Sequence, residues 1–215
     1  MVAESAVTPA TPEYHFPNKM GRIVIQSLEE SMGRTALNAV LNLARMQERI
    51  ENYPPNNFDK EFSFEELGRL FQALDEMYGP RSGHGLARRA GRACFVLGVK
   101  DFGPMLGIAD LALRVLPLGM KLKVGLEVLS ETFNKYTDHL VVVGEDDEYF
   151  HWTMTRCGTC WGRHSESPCC QLSVGILEEG LYWVSGGKNF YVEEVTCIAV
   201  GDEACTIQVA KRPLE

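Results

Sequence analysis

Residues 157–205 read CGTCWGRHSESPCCQLSVGILEEGLYWVSGGKNFYVEEVTCIAVGDEAC, and six of the chain's seven cysteines fall inside this stretch. Thiolates are soft ligands, so this density points to a metal site before other uses. Cys157 and Cys160 have the C-x-x-C spacing of a metal knuckle. Cys169 and Cys170 are adjacent, so at most one of the two is expected to face a given site. Cys197 and Cys205 flank a Gly201-Asp202 turn signal, which suits two strands of a hairpin. Glu194 precedes Cys197 by three residues and adds a carboxylate oxygen. Disulfides or inert buried thiols are the competing readings of the same residues.

The segments around the cysteines set the fold class. Residues 171–185 (QLSVGILEEGLYWVS) carry Leu172, Ile176, Leu177, Leu181 and Val184 at helical spacing, and Gly186-Gly187 stops the helix. Residues 189–198 and 204–210 read as a closing hairpin. Upstream, His139–Val143 and Tyr149–Thr155 alternate as strands about a Gly144–Asp147 turn. The pattern from residue 138 is therefore ββαββ. From Ser27 to that point the pattern is mainly helical in period. Ser27–Glu30 and Ser63–Glu66 are spaced as capping boxes, the second with Phe62 and Leu67 as a hydrophobic staple. Residues 82–97 carry another apolar stripe, with Arg88, Arg89 and Arg92 on a solvated face, and residues 119–137 place Leu122, Leu126, Leu129 and Phe133 inward. Arg22–Ile25 is a short apolar run that reads as a small strand. The expected class is α+β, with helices packed on an antiparallel sheet. Residues 1–18 read as a flexible tail, and residues 19–215 as a single domain with a helical part over 19–137 and a metal-bearing α+β part over 138–215.

Composition narrows the function classes. The chain has 215 residues and a net charge of −8, which disfavours a direct nucleic-acid partner. No run approaches 18 uncharged apolar residues, so no membrane span is expected. A basic n-region with an apolar core is missing from the first residues, and an odd number of cysteines suits a reducing compartment, so a cytoplasmic protein is expected. There is no G-x-S-x-G, P-loop or G-x-G-x-x-G, so a hydrolase triad, a nucleotide site or a built-in hydride carrier finds no support.

The succession Cys170, a Gly-containing apolar helix, Phe190-Tyr191-Val192, Glu194-x-x-Cys197 and Gly201-Asp202-x-x-Cys205 resembles the 4-vinyl reductase domain. The likeness extends over most of the chain. It implies a small-molecule-binding fold similar to the transport-protein-particle subunits of vesicle-tethering complexes. It also implies a zinc ion held by Cys170, Glu194, Cys197 and Cys205, with Cys157, Cys160 and Cys169 as alternative ligands. A four-thiolate set built on Cys157 and Cys160 is the rival, and it suits an iron–sulfur cluster as well as zinc.

Three functions follow as expectations. The first is binding of a hydrophobic small molecule, aromatic or tetrapyrrole-like, in an apolar pocket braced by the metal, with His151, Trp152 and Trp161 as the candidate ligand-binding residues. Trp152 and Trp161 offer flat apolar faces, and His151 one hydrogen bond. The second is an enzyme or accessory protein in bacteriochlorophyll vinyl reduction. The third is an assembly module. A homodimer through the N-terminal helices is expected, because the stripe Leu28–Ala44 and the all-round apolar residues 102–118 exceed what one small sheet covers.

Overall fold

His15–Pro17 (β1) pairs antiparallel with Lys60–Ser63 (β2) in the computed structural model, which describes residues 13–106 and 116–214. Residues 1–12 of the expected tail lie outside the described residues. The segment Tyr14–Pro17 does not behave as a tail, because Phe16 is buried against Phe62 and Phe64. The helix expected at Ser27 starts earlier, at Asn18, and runs to Met32 (α1). Ser27 is fully buried inside it, so it caps nothing, and the apolar run Arg22–Ile25 is helical rather than extended. The reason lies in tertiary burial: Ile23, Ile25 and Leu28 enter the core together. Gly33, at φ +82°, then breaks the expected long helix, and Arg34–Leu43 (α2) follows.

The Ser63–Glu66 capping box is present in both directions at the start of Phe64–Tyr78 (α3). Gly79 ends α3 at φ +76°, and Pro80 opens Pro80–Leu106 (α4), where proline's missing N–H costs nothing. The expected helix over 102–118 falls partly outside the described residues. Its first part belongs to α4. Leu118–Tyr136 (α5) leads into the sheet.

The sheet has Leu140–Glu145 (β3), Tyr149–Arg156 (β4), Phe190–Thr196 (β5) and Cys205–Pro213 (β6) in the order β3-β4-β6-β5, antiparallel throughout. Gln171–Ser185 (α6) joins β4 to β5, and Gly186 caps it in the left-handed region. The period of two sets one face inward: Phe150, Trp152 and Met154 on β4, and Cys205, Ile207 and Val209 on β6, are buried. The opposite face is open, with Val142 61% exposed.

Two apolar clusters result. One gathers α1–α4 around Phe62, Phe64 and Phe71. The other gathers the sheet, α5, α6 and the six cysteines. Across the seam α4 and α6 touch backbone to backbone. A Cβ on Gly91 would stand 2.2 Å from the Leu172 carbonyl oxygen, and one on Gly175 would stand 2.0 Å from that of Arg88. The arginines expected on a solvated face are partly used here, since Arg88 and Arg92 both pair with Glu178 of α6. The stripe expected to face a second copy is largely taken up within the chain, with Leu28, Val40 and Ala44 buried. The helical pairing surface for a homodimer is correspondingly reduced.

Candidate functional site

An apolar cavity of about 340 Å³ opens at the seam between the two clusters. Phe16, Ile23 and Phe62 wall it from one side, and Leu126, Leu177 and Leu181 from the other. Among the described residues no Asp, Glu, Lys or Arg lines it. Its polar wall atoms are already engaged. Thr132 Oγ1 donates to the Val128 carbonyl at 2.7 Å, and Thr159 Oγ1 lies 3.4 Å from Ser173 Oγ. His139 is buried and ringed by Phe16, Phe64 and Phe133, with centroids 4.9, 4.9 and 5.4 Å away. The Gly158 N–H donates to its Nε2 at 3.2 Å, which places the ring proton on Nδ1, 3.2 Å from Thr137 Oγ1. Thr137 Oγ1 itself donates to the Phe133 carbonyl at 2.7 Å. Cys94 of α4 is also on the wall, and burial pushes its thiol up to about 12.

None of the three residues expected to bind the ligand is on this wall. His151 points to the open side of β4, and its Nε2 is 2.8 Å from Asp146 Oδ2. Trp152 is buried edge-on to Phe133 at 6.0 Å. Trp161 stacks edge-on against Tyr14 at 5.1 Å. The aromatic residues that do line the cavity include Phe95, Phe133 and Trp183, and the histidine is His139. One signal for His139 was present in the sequence. Thr137-Asp138-His139 is a hydroxyl turn, with Thr137 Oγ1 accepting from the His139 amide at 3.0 Å.

The second site is the thiol cluster. All six cysteines of the 157–205 stretch are buried, and none is disulfide-bonded. The sulfurs of Cys170, Cys197 and Cys205 form a triangle with every side 3.8 Å. A tetrahedral ion with metal–sulfur bonds of about 2.3 Å places its thiolates roughly 3.8 Å apart. Cys157 Sγ is 3.4 Å from Cys170 Sγ, and Cys160 Sγ is 3.4 Å from Cys205 Sγ. Cys169 touches only the margin, 3.9 Å from Cys197 Sγ. Glu194 is 6% exposed: its Oε2 accepts from the Cys170 N–H at 2.6 Å, and its Oε1 has no hydrogen-bond partner. Burial first, and the neighbouring Cys197 charge second, push the Glu194 carboxyl up to about 9.

Local structure explains why these side chains converge. Cys170 is the residue before the first turn of α6, and burial raises its thiol well above the ordinary range. Cys197 and Cys205 flank the β5–β6 connection, and the Cys197 N–H donates to Asp202 Oδ2 at 2.7 Å. Arg163 pins the Cys157–Cys170 loop to α3 through Asp75 Oδ2 at 2.6 Å, and also donates to the Thr159 carbonyl at 3.0 Å. The two sites share an element: α6 leaves the thiol cluster at Cys170 and walls the cavity with Leu172, Ser173, Ile176 and Leu177.

No family model and no curated protein sequence matches the chain. Solved structures do. An H-NOX protein from S. oneidensis in the Fe(II)NO state superposes with a TM-score of 0.56 at 11% identity, over 93% of this chain and 99% of that one. The unliganded Fe(II) H-NOX protein from K. algicida gives 0.56 at 13% identity, over 93% and 97%. A protein solved to probe heme distortion in the H-NOX family gives 0.58 at 14% identity, over 93% and 97%. These similarities overturn the resemblance to the 4-vinyl reductase domain and to vesicle-tethering subunits. They overturn with it the zinc or iron–sulfur cofactor and the part in bacteriochlorophyll synthesis, because the similar proteins are described by heme in one case and by Fe(II) in the others. The resemblance misled because it was carried by one cysteine hairpin and its helix, whereas the fold is decided by how α1–α5 meet the sheet. The chain has the fold of the H-NOX domains.

Proposed function

We propose that this protein binds an uncharged, flat, apolar small molecule, with an aromatic ring system, in the seam cavity between the two clusters. The observation that carries this reading is a described wall without a single ionised side chain around about 340 Å³ of space, within the size range of small-molecule pockets. The fold adds weight, since a protein solved to probe heme distortion in the H-NOX family is similar to this chain.

Heme itself does not fit the described wall. An axial ligand would have to come from histidine, thiolate, methionine or tyrosine. Of these the described wall offers His139, Cys94 and Met20: His139 spends both ring nitrogens within the protein, burial pushes the Cys94 thiol up to about 12, and what is left is the Met20 thioether, a ligand that serves beside a histidine. The carboxylates of a heme would enter a wall that offers no cation to pair with them. The ligand that suits the wall is instead held by dispersion and edge contacts with Phe95, Phe133 and Trp183.

Titration of the protein with 2-naphthol and with the anion 2-naphthoate, read by tryptophan fluorescence, tests this. The neutral compound is expected to bind below millimolar and the anion at least about tenfold more weakly, a difference of about 1.4 kcal/mol. Val128→Trp, which fills the cavity from α5, is expected to abolish naphthol binding while leaving the fold intact. Equal binding of the anion, a heme-type absorption band on adding haemin, or unchanged naphthol binding by Val128→Trp would each refute the reading.

A second reading rests on the sulfur triangle. We infer that Cys170, Glu194, Cys197 and Cys205 hold a soft cation whose role is to brace α6 against β5 and β6. The four ligand atoms lie within 4.8 Å of one another, and the unpartnered Glu194 Oε1 is a buried acceptor in want of a positive charge.

A further inference from the structure

Among the described residues there are two quartets of ligand atoms, each with its members within 4.8 Å of one another: Cys157, Cys160, Cys170 and Cys205 form the first, and Cys170, Glu194, Cys197 and Cys205 the second. Cys170 and Cys205 belong to both. Two tetrahedra that share two corners share an edge, and two metal ions bridged by two thiolates have that arrangement. We propose that the cluster is a two-metal thiolate centre, in which the Cys170 and Cys205 thiolates bridge two soft divalent cations, Cys157 and Cys160 complete one ion, and Glu194 and Cys197 complete the other. This rests on the reading that the second quartet binds a cation at all.

The distances suit the shared edge. Cys170 and Cys205 are 3.8 Å apart, close to the roughly 3.8 Å separation of two thiolates on one tetrahedral ion. Each remaining 3.4 Å contact joins a bridging sulfur to a terminal one of the first quartet, Cys157 to Cys170 and Cys160 to Cys205. A single ion in the second quartet would leave the Cys157-x-x-Cys160 knuckle as two idle thiols pressed against occupied ligands.

Charge balance also permits the second ion. One dication in the second quartet gives 2 − 4 = −2, counting three thiolates and one carboxylate. Adding another dication and ionising Cys157 and Cys160 gives 4 − 6 = −2. The step is M²⁺ plus two thiols giving a bis-thiolate and two released protons, so the buried net charge does not change. Backbone donors already face that charge: the Ile198 N–H is 3.3 Å from Cys205 Sγ, and the Cys170 N–H reaches Glu194. Cys169 belongs to neither quartet and stays a thiol, its carbonyl taken by Arg163 at 3.4 Å.

The test is titration of the reduced, metal-stripped full chain with Cd²⁺, followed by sulfur-to-cadmium ultraviolet absorption and native mass spectrometry. The expected result is two ions per chain for the unaltered protein and for Cys169→Ser, and one for Cys160→Ser. One ion in the unaltered chain overturns the two-metal centre and leaves the single-ion reading standing, whereas none overturns both. The magnetic moment of the unaltered chain loaded with Co²⁺ gives a measurement independent of any variant. Bridging thiolates couple the two ions and lower the moment per cobalt, and two uncoupled ions overturn the bridge.

Discussion

Asp146 shows how much one turn residue holds. Its carboxylate accepts from the Glu148 and Tyr149 amides, each at 2.8 Å, and from His151. The two amides first, then the imidazole, draw its carboxyl down to about 2. The folded value lies below the unfolded one near 3.8, so the stabilisation is present above pH about 4 and is lost as pH falls through about 2. Thermal melts taken from pH 5 to 2 are expected to show a falling midpoint whose slope is shallower in Asp146→Asn. The same contact explains why His151 was misread from sequence. A histidine alternating with Phe150 and Trp152 reads equally well as facing in or out, and only the Asp146 partner, five residues back, settles it outward. His139 is the reverse case. The Thr137 hydroxyl turn marks its place, but its role depends on the Gly158 amide, 19 residues on, which the turn does not disclose.

At the scale of elements, the crossing of α4 over α6 is a joint at which two glycines meet backbone. Both Gly91 and Gly175 face backbone, so an added methyl meets a carbonyl that cannot rotate away. Gly175→Ala is expected to destabilise the protein by about 1–3 kcal/mol, the usual cost of overpacking, whereas Gly85→Ala, an open position on the same helix α4, is expected to be neutral or stabilising. Chemical denaturation of both variants checks the pair. The elements themselves were largely legible. The ββαββ order, the boundaries of α6, and the capping box at Ser63 follow from period and cap chemistry. The misreadings came where tertiary burial outweighed a local signal. The Ser27 capping box lost to a helix already begun at Asn18, because Ile23, Ile25 and Leu28 bury more apolar surface in the helix than a cap returns.

For the whole molecule, the arrangement of the cavity and the thiol cluster at two places along α6 implies linkage. A cation that fixes Cys170 fixes the first turn of the helix that supplies Leu172, Ser173 and Ile176 to the cavity wall. Naphthol is therefore expected to bind Cd²⁺-loaded protein about 5–150-fold more tightly than stripped protein, a coupling of about 1–3 kcal/mol. By reciprocity, naphthol must raise the affinity for Cd²⁺ by the same factor. Calorimetric titrations in both orders check this, and a naphthol affinity that is the same with and without Cd²⁺ would sink the linkage. The sequence made the cysteine half of this pair visible, because soft ligands cluster in one stretch. The cavity was not visible, because its walls come from α1, α4, α5 and α6, which lie far apart along the chain.

The seam has one more consequence. Close-packed protein interiors resist compression, and it is empty space that makes a folded chain yield to pressure. Here the space is gathered at the boundary between two otherwise dense clusters, so squeezing acts on their relative position rather than on either interior. An occupant of the seam would work as a mechanical shim: it sets the distance between the halves, and the molecule's stiffness becomes a reading of whether the ligand is there.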